Sequence, residues 1–200
     1  LQSSAASDVY KRQAPVSAPI LPGAVLGVLG GGQLGRMFAL SARAMGYRVS
    51  VLVPEDDSPT GQIAYRDVRA EYTDLDKVEE FAKGVDVVTF EFENVPAATV
   101  EAAAKHAPVR PAGDLLYTTQ NRAREKRGLT SHGLPVANYA ILESTDDLPA
   151  AAESVGFPAV MKTAAWGYDG KGQRRVENTD ELVAAWRELG AGPAVLEAFV

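Results

Sequence analysis

From Ala24 onward, short apolar runs alternate with stretches whose apolar residues recur every three or four positions. That alternation predicts β-α units built on a mostly parallel sheet. "AVLGVLG" (24–30) reads as a first buried strand. In "GGGQLGRMFALSARAMG", Leu34, Met37, Phe38, Ser41, Ala42 and Met45 fall at helical spacing, which predicts a helix over 33–45 with Gly46 suited to its C-cap. "YRVSVLV" (47–53) reads as a second strand and "VDVVTFEF" (85–92) as a third. Between them "DLDKVEEFAKG" is helical, with Thr73 as the expected N-cap and Asp76 three residues on. A doubly wound layer is therefore predicted up to about residue 110.

The pattern changes near "RPAGDLLYTTQNR" (110–122), which reads as a boundary. "NRAREKRGLTSHG" is a charged helix ending at Gly133, since Pro135 forbids its continuation. Four strands follow: "NYAIL", "FPAVMKT", "QRRV" and "PAVLEAF". Two helices lie among them, one opened by the Ser144 and Asp147 capping pair and one by Asn178 with Glu181. Two helices on a small sheet, with a glycine loop joining adjacent strands, make an α+β module over 135–200. Residues 1–23 hold three prolines and no sustained periodicity, and are expected to be a disordered or non-native leader. The closing apolar run reads as a buried strand, so the chain is expected to be a piece of a longer protein.

Composition narrows the partners. An apolar fraction of 46% with 23% charged residues is that of an ordinary globular protein. A net charge of -6 argues against a nucleic-acid binder, which would need a basic face. There is no cysteine for a disulfide or thiolate zinc site, and His106 and His132 lack ligand-spaced partners. No apolar run approaches the roughly 20 residues of a membrane span, and no signal peptide is visible. A cytoplasmic protein without membrane or nucleic-acid partners is expected.

Four stretches could carry chemistry. "GGGQLG" places Gly30, Gly32 and Gly35 after a strand and at a helix start, where backbone amides attract phosphate; Glu55 stands where a ribose-binding acid would sit. A tight strand-to-helix turn with no ligand is the alternative. In "TFEFENVP", alternation puts Glu91 and Glu93 on one face at the carboxyl end of the third strand, with Asn94 following. Solvated acids at a strand end are the plainer alternative. In "FPAVMKTAAWGYDGKGQ", Lys162 ends an apolar strand, and Gly167, Gly170 and Gly172 open a loop whose amides could cradle phosphate beside Lys162 and Lys171. A plain hairpin turn also fits. Finally, Glu197 sits within the apolar strand "VLEAFV", costly unless it meets a donor or lies at an exposed edge. "RAREKR" reads as a solvated helix face, with Arg122 set apart.

Taken in order, "GGGQLGRM", "TFEFENVP", "NR…K", "FPAVMK", "GYDGKGQ" and "LEAFV" resemble the ATP-grasp superfamily and, within it, the N5-carboxyaminoimidazole ribonucleotide synthetase family of purine biosynthesis. The resemblance implies an α/β chain: a Rossmann-like pre-ATP-grasp domain over 24–120, then an incomplete ATP-grasp domain over 121–200 whose small α+β lid spans 135–200. It implies a ligase that carboxylates 5-aminoimidazole ribonucleotide with bicarbonate and ATP, releasing ADP and phosphate. ATP would be held by Arg122, Lys162, the loop Gly167, Tyr168, Asp169, Gly170, Lys171, Gly172 and Gln173, and by Glu197, Ala198, Phe199 and Val200 around the adenine. Lys162 and Lys171 would be catalytic. The ribonucleotide would meet Gln33, Glu91, Asn94, Tyr168, Asp169 and Lys171. The resemblance further implies a homodimer at full length and Mg²⁺ whose ligands lie beyond residue 200, so that these 200 residues alone are inactive. Ala164, Ala165 and Trp166 depart from the basic residues many relatives carry there. A Rossmann-type oxidoreductase and a non-catalytic binding module are the rival classes.

Overall fold

The computed structural model describes residues 19–165 and 172–200. They form two units, one ending at Arg110 and one running from Pro111 to Val200.

In the first unit, β1 (Val25–Leu29), β2 (Arg48–Val53), β3 (Arg66–Arg69) and β4 (Val87–Phe90) make one parallel sheet in the order β3-β2-β1-β4. Alternation along the strands divides the core. Val28, Val49, Val51 and Val53 pack with Ala39 and Ala42 of α1 (Gln33–Ala44). On the other side, a Cβ on Gly27 would meet the Phe81 ring at 3.0 Å, so α2 (Leu75–Lys83) seats close against β1. Helix α3 (Ala97–Ala104) follows β4 and packs on α2. Because the chain lays β2 and β3 on one side of β1 and β4 on the other, the order reverses at β1. An open parallel sheet leaves its crevice there, beyond the carboxyl ends of the strands.

In the second unit, β5 (Tyr139–Leu142), β6 (Ala159–Thr163), β7 (Gln173–Val176) and β8 (Ala194–Ala198) form an antiparallel sheet ordered β5-β8-β6-β7. Leu142, Ala159, Met161, Val176, Ala194 and Leu196 turn to one face and bury against α6 (Leu148–Val155) and α7 (Thr179–Glu188), with Leu148, Leu182 and Trp186 at the centre. Helices α4 (Gly113–Thr119) and α5 (Arg122–Ser131) precede the sheet. The Asn178 cap is present, its side chain accepting from the Glu181 amide at 3.0 Å, and Ser144 and Asp147 form the expected capping box.

Several expectations need correction. The cap of α2 is Asp74, which accepts from the Lys77 amide at 3.2 Å, and not Thr73. Helix α1 buries its small residues Gly35, Ala39 and Ala42, whereas Leu34, Met37, Phe38 and Met45 are exposed. Strand β4 ends at Phe90, two residues early, because the Glu91 side chain turns into the glycine segment. The boundary segment holds α4, which starts at Gly113 with Asp114 in its first turn. Strand β3 and helix α3 had no sequence forecast: "RDVR" has one apolar residue, and "AATVEAAA" has no polar face to mark a period. Of the expected leader, the Ile20 carbonyl accepts from Tyr47 Oη at 2.8 Å, and Gly23 exchanges bonds with Gly46 and Arg48.

Candidate functional site

On the sheet face turned away from α6 and α7, register places Val160 opposite Glu197 and Lys162 opposite both Val195 and Gln173. Lys162 Nζ therefore reaches Glu197 Oε2 at 3.1 Å. Helix α5 supplies a second cation. Asn121 caps it by accepting from the Arg124 amide at 3.1 Å, which starts the helix at Arg122. The Arg122 amide donates to the Ala164 carbonyl at 2.7 Å, and its Nη1 to the Thr163 carbonyl at 2.8 Å. These bonds fasten the start of α5 to the end of β6. One turn on, Lys126 shares the face of Arg122 and brings Nζ to 3.2 Å from the same Glu197 Oε2.

Glu197 is buried at 8% exposure in a central strand, so it is not at an exposed edge. Burial pushes its carboxyl up, but hydrogen bonds and charge from Lys162 and Lys126 outweigh that and hold it below the ordinary glutamate value. Sequence reasoning gave Lys126 no role of its own. "RAREKR" is not one solvated face: Lys126 is half-buried toward β8, Arg124 lies over the Tyr117 ring at 3.8 Å, and Arg127 is exposed. The signal was its four-residue spacing from Arg122.

Lys162, Gln173, Glu197, Ala198, Phe199 and Val200, with Ala137 and Val160, wall a cavity of about 360 Å³. The Ala198 and Phe199 amides are already used, donating to the Asn138 and Pro158 carbonyls at 2.8 and 3.0 Å. Gly172 has a φ of 71° and accepts from the Thr163 amide at 2.8 Å, at the base of the loop joining β6 and β7. Gly167, Tyr168, Asp169, Gly170 and Lys171 lie outside the described residues.

The first unit has its own crevice at the carboxyl ends of β1 and β4. About 450 Å³ in volume, it is walled by Gly31, Gly32, the segment Glu55 to Pro59, Tyr72, Glu91 and Phe92. The amides at the start of α1 do not face it empty-handed. Glu91 Oε1 accepts from Gly32 at 2.7 Å and Oε2 from Gly35 at 2.5 Å, so a carboxylate of the chain takes the place a phosphate would have had. Tyr72 is pushed well above its ordinary value by burial and then by Glu55, Glu91 and Glu71, and stays a neutral donor. Gln33 and Asn94 are both exposed and lie outside this lining. Among the described residues, no three His, Asp or Glu side chains gather as a metal site. No helix among them is long and apolar enough to cross a membrane.

These features coincide with known families. Residues 24–120 match the ribonucleotide synthetase preATP-grasp domain, and residues 127–200 match the ATP-grasp domain. The chain therefore carries a match to a preATP-grasp domain followed by a match to an ATP-grasp domain, the order of parts found in ATP-grasp proteins of this branch. It is 41% identical over 181 residues to the N5-carboxyaminoimidazole ribonucleotide synthase of Bacillus subtilis, covering 90% of this chain and 48% of that protein. An ADP complex of an N5-carboxyaminoimidazole ribonucleotide synthetase superposes with a TM-score of 0.83 at 41% identity, covering 90% and 48% of the two chains. The Aspergillus clavatus enzyme in complex with ADP and 5-aminoimidazole ribonucleotide superposes at 0.78, with 31% identity and 88% and 46% coverage. The chain thus spans about half the length of the relatives it matches.

Proposed function

We propose that this chain forms the preATP-grasp domain, over 24–120, and the first part of the ATP-grasp domain, over 121–200, of an enzyme that makes N5-carboxyaminoimidazole ribonucleotide from 5-aminoimidazole ribonucleotide, bicarbonate and ATP. The reaction belongs to purine biosynthesis in the cytoplasm. The observation that carries this reading is the placement of Lys162 and Glu197 side by side on one sheet face, walling the same cavity. A buried carboxylate suits the adenine amino group, and an ammonium on a strand end suits phosphate oxygens. With the Ala198 and Phe199 amides spent inside the sheet, the Val200 amide is the one assigned to the adenine ring edge. Arg122 braces the strand end from which Lys162 projects and meets the nucleotide from there.

Bicarbonate is a weak electrophile, and phosphorylation by ATP gives it a leaving group before the amine attacks. Negative charge spreads over the transferring phosphoryl group, so Lys162, Lys171 and the amides of Gly167 to Gln173 act by fixed positive potential. Tyr168, Asp169 and Lys171 are assigned to both reactants. The crevice in the first unit is acid-walled by Glu55, Asp56, Asp57 and Glu91, so it suits the hydroxyls or amine of the ribonucleotide and not its phosphate. Gln33 and Asn94 belong to its approaches. The Mg²⁺ that would offset the phosphate charge is assigned ligands in the part of the enzyme beyond these residues, since among the described residues no three His, Asp or Glu side chains gather as a metal site. The whole enzyme is proposed to be a homodimer.

The test is ATP binding by the 200-residue chain, measured by calorimetry. Lys162→Met is expected to weaken it about tenfold or more, the value of one charge-assisted contact. Unchanged affinity would sink the reading. No bicarbonate-dependent ATP hydrolysis is expected from this chain alone.

A further inference from the structure

Two lysines converge on one oxygen of Glu197, and they are not equivalent. Lys162 walls the cavity and its side chain is 27% exposed. Lys126 is 15% exposed, is no part of the cavity wall, and comes from a helix fastened to β6 by the Arg122 bonds. Its ammonium lies 6.0 Å from the Tyr139 ring, and Tyr139 is the cross-strand partner of Glu197. Thr130, one turn further along α5, holds the Tyr139 hydroxyl at 3.3 Å. Lys126 thus sits beside Tyr139 and Glu197 and outside the cavity wall.

This division matters when a nucleotide arrives, and here the inference rests on the nucleotide reading given above. Phosphate oxygens compete with Glu197 for Lys162. A carboxylate with so little water around it must keep a cation or take up a proton. We propose that Lys126 is a positioning residue for base recognition: it holds Glu197 ionised and aimed into the cavity when Lys162 turns to the phosphates. Lys126 touches no part of the nucleotide itself. Without it, Glu197 either retains Lys162, starving the phosphates, or becomes a neutral acid that binds the adenine amino group weakly.

The experiment compares ATP with purine riboside triphosphate, which carries hydrogen where ATP has its amino group, by calorimetry on the 200-residue chain. Wild type is expected to prefer ATP about tenfold, the fold-change of one hydrogen bond to a charged acceptor. Lys126→Met is expected to shrink that preference to about threefold or less, and Lys126→Arg to restore most of it. Should Lys126→Met fail to fold, Lys126→Gln is read in the same way. Equal weakening of both nucleotides by Lys126→Met, with the preference intact, would overturn the positioning role while leaving the nucleotide reading standing. A wild type that binds both equally, or neither, would overturn the assignment of Glu197 to the base, and the role of Lys126 with it.

Discussion

The Glu91 carboxylate at the end of β4 accepts the Gly35 amide at 2.5 Å, joining positions 56 apart in sequence and closing the N-terminus of α1 from within. Glu91→Gln keeps the shape but sets an NH₂ against one of the two amide donors. Loss of about 1–3 kcal/mol in chemical denaturation is expected, since a buried donor is left unpaired. No loss would mean that water replaces the carboxylate without cost.

Gly30 has a φ of +113°, and a Cβ there would stand 2.4 Å from Glu91 Cγ. Gly133 also has positive φ, +70°, but nothing lies within 4 Å of its added Cβ. Gly133→Ala should therefore cost about 1 kcal/mol, the backbone penalty alone. Gly30→Ala should cost clearly more, because strain adds to the steric clash. Equal melting-temperature shifts for the two variants would contradict the packing around Glu91.

Acid should loosen the join between α2 and α3. Glu79 Oε1 meets Lys105 Nζ at 2.7 Å and Oε2 meets His106 Nε2 at 3.0 Å. Hydrogen bonds from Lys105 and then His106 push the Glu79 carboxyl down to about 2. A depressed carboxyl stabilises the fold above its ordinary value near 4.5 and loses that contribution as pH falls toward 2. Thermal melts of wild type and Glu79→Gln should therefore differ at pH 6 and converge by pH 2. The gap should also narrow in high salt, because the group is exposed to solvent.

Trp186 lies at 3% exposure in the core of the second unit, and its Nε1 has no hydrogen-bond partner among the described residues. Trp186→Phe deletes that unpaired donor while leaving most of the ring, so a net change within about 1 kcal/mol is expected. Trp186→Ala should cost about 3–5 kcal/mol through the cavity it opens. A large loss in the phenylalanine variant would reveal a partner for the indole nitrogen.

Much of the fold was legible because the signals were local. The buried strands β1, β2, β6 and β8 announce themselves as apolar runs, and Asn178 with Glu181 caps α7 within a single turn. What escaped notice lacked such contrast. Strand β3 is an edge strand of mostly charged residues, held by its parallel register with β2 and not by burial of its own. Helix α1 misled in the other direction: its large apolar residues repeat correctly, yet the small ones pack, because Gly35 must approach Thr60 and Glu91 within what would be 2.6 Å of a Cβ.

Residue order alone determined the two kinds of sheet, the glycine turn and the candidacy of Lys162 and Glu197, since periodicity and strand position act over a few residues. Only the tertiary structure decided who neutralises whom. Glu91 fills the anion site of α1, and Lys126 joins Lys162 on Glu197, through contacts between segments remote in sequence. Such pairings follow from burial: a charge removed from water takes the nearest complementary group that packing supplies, and packing is a property of the folded whole.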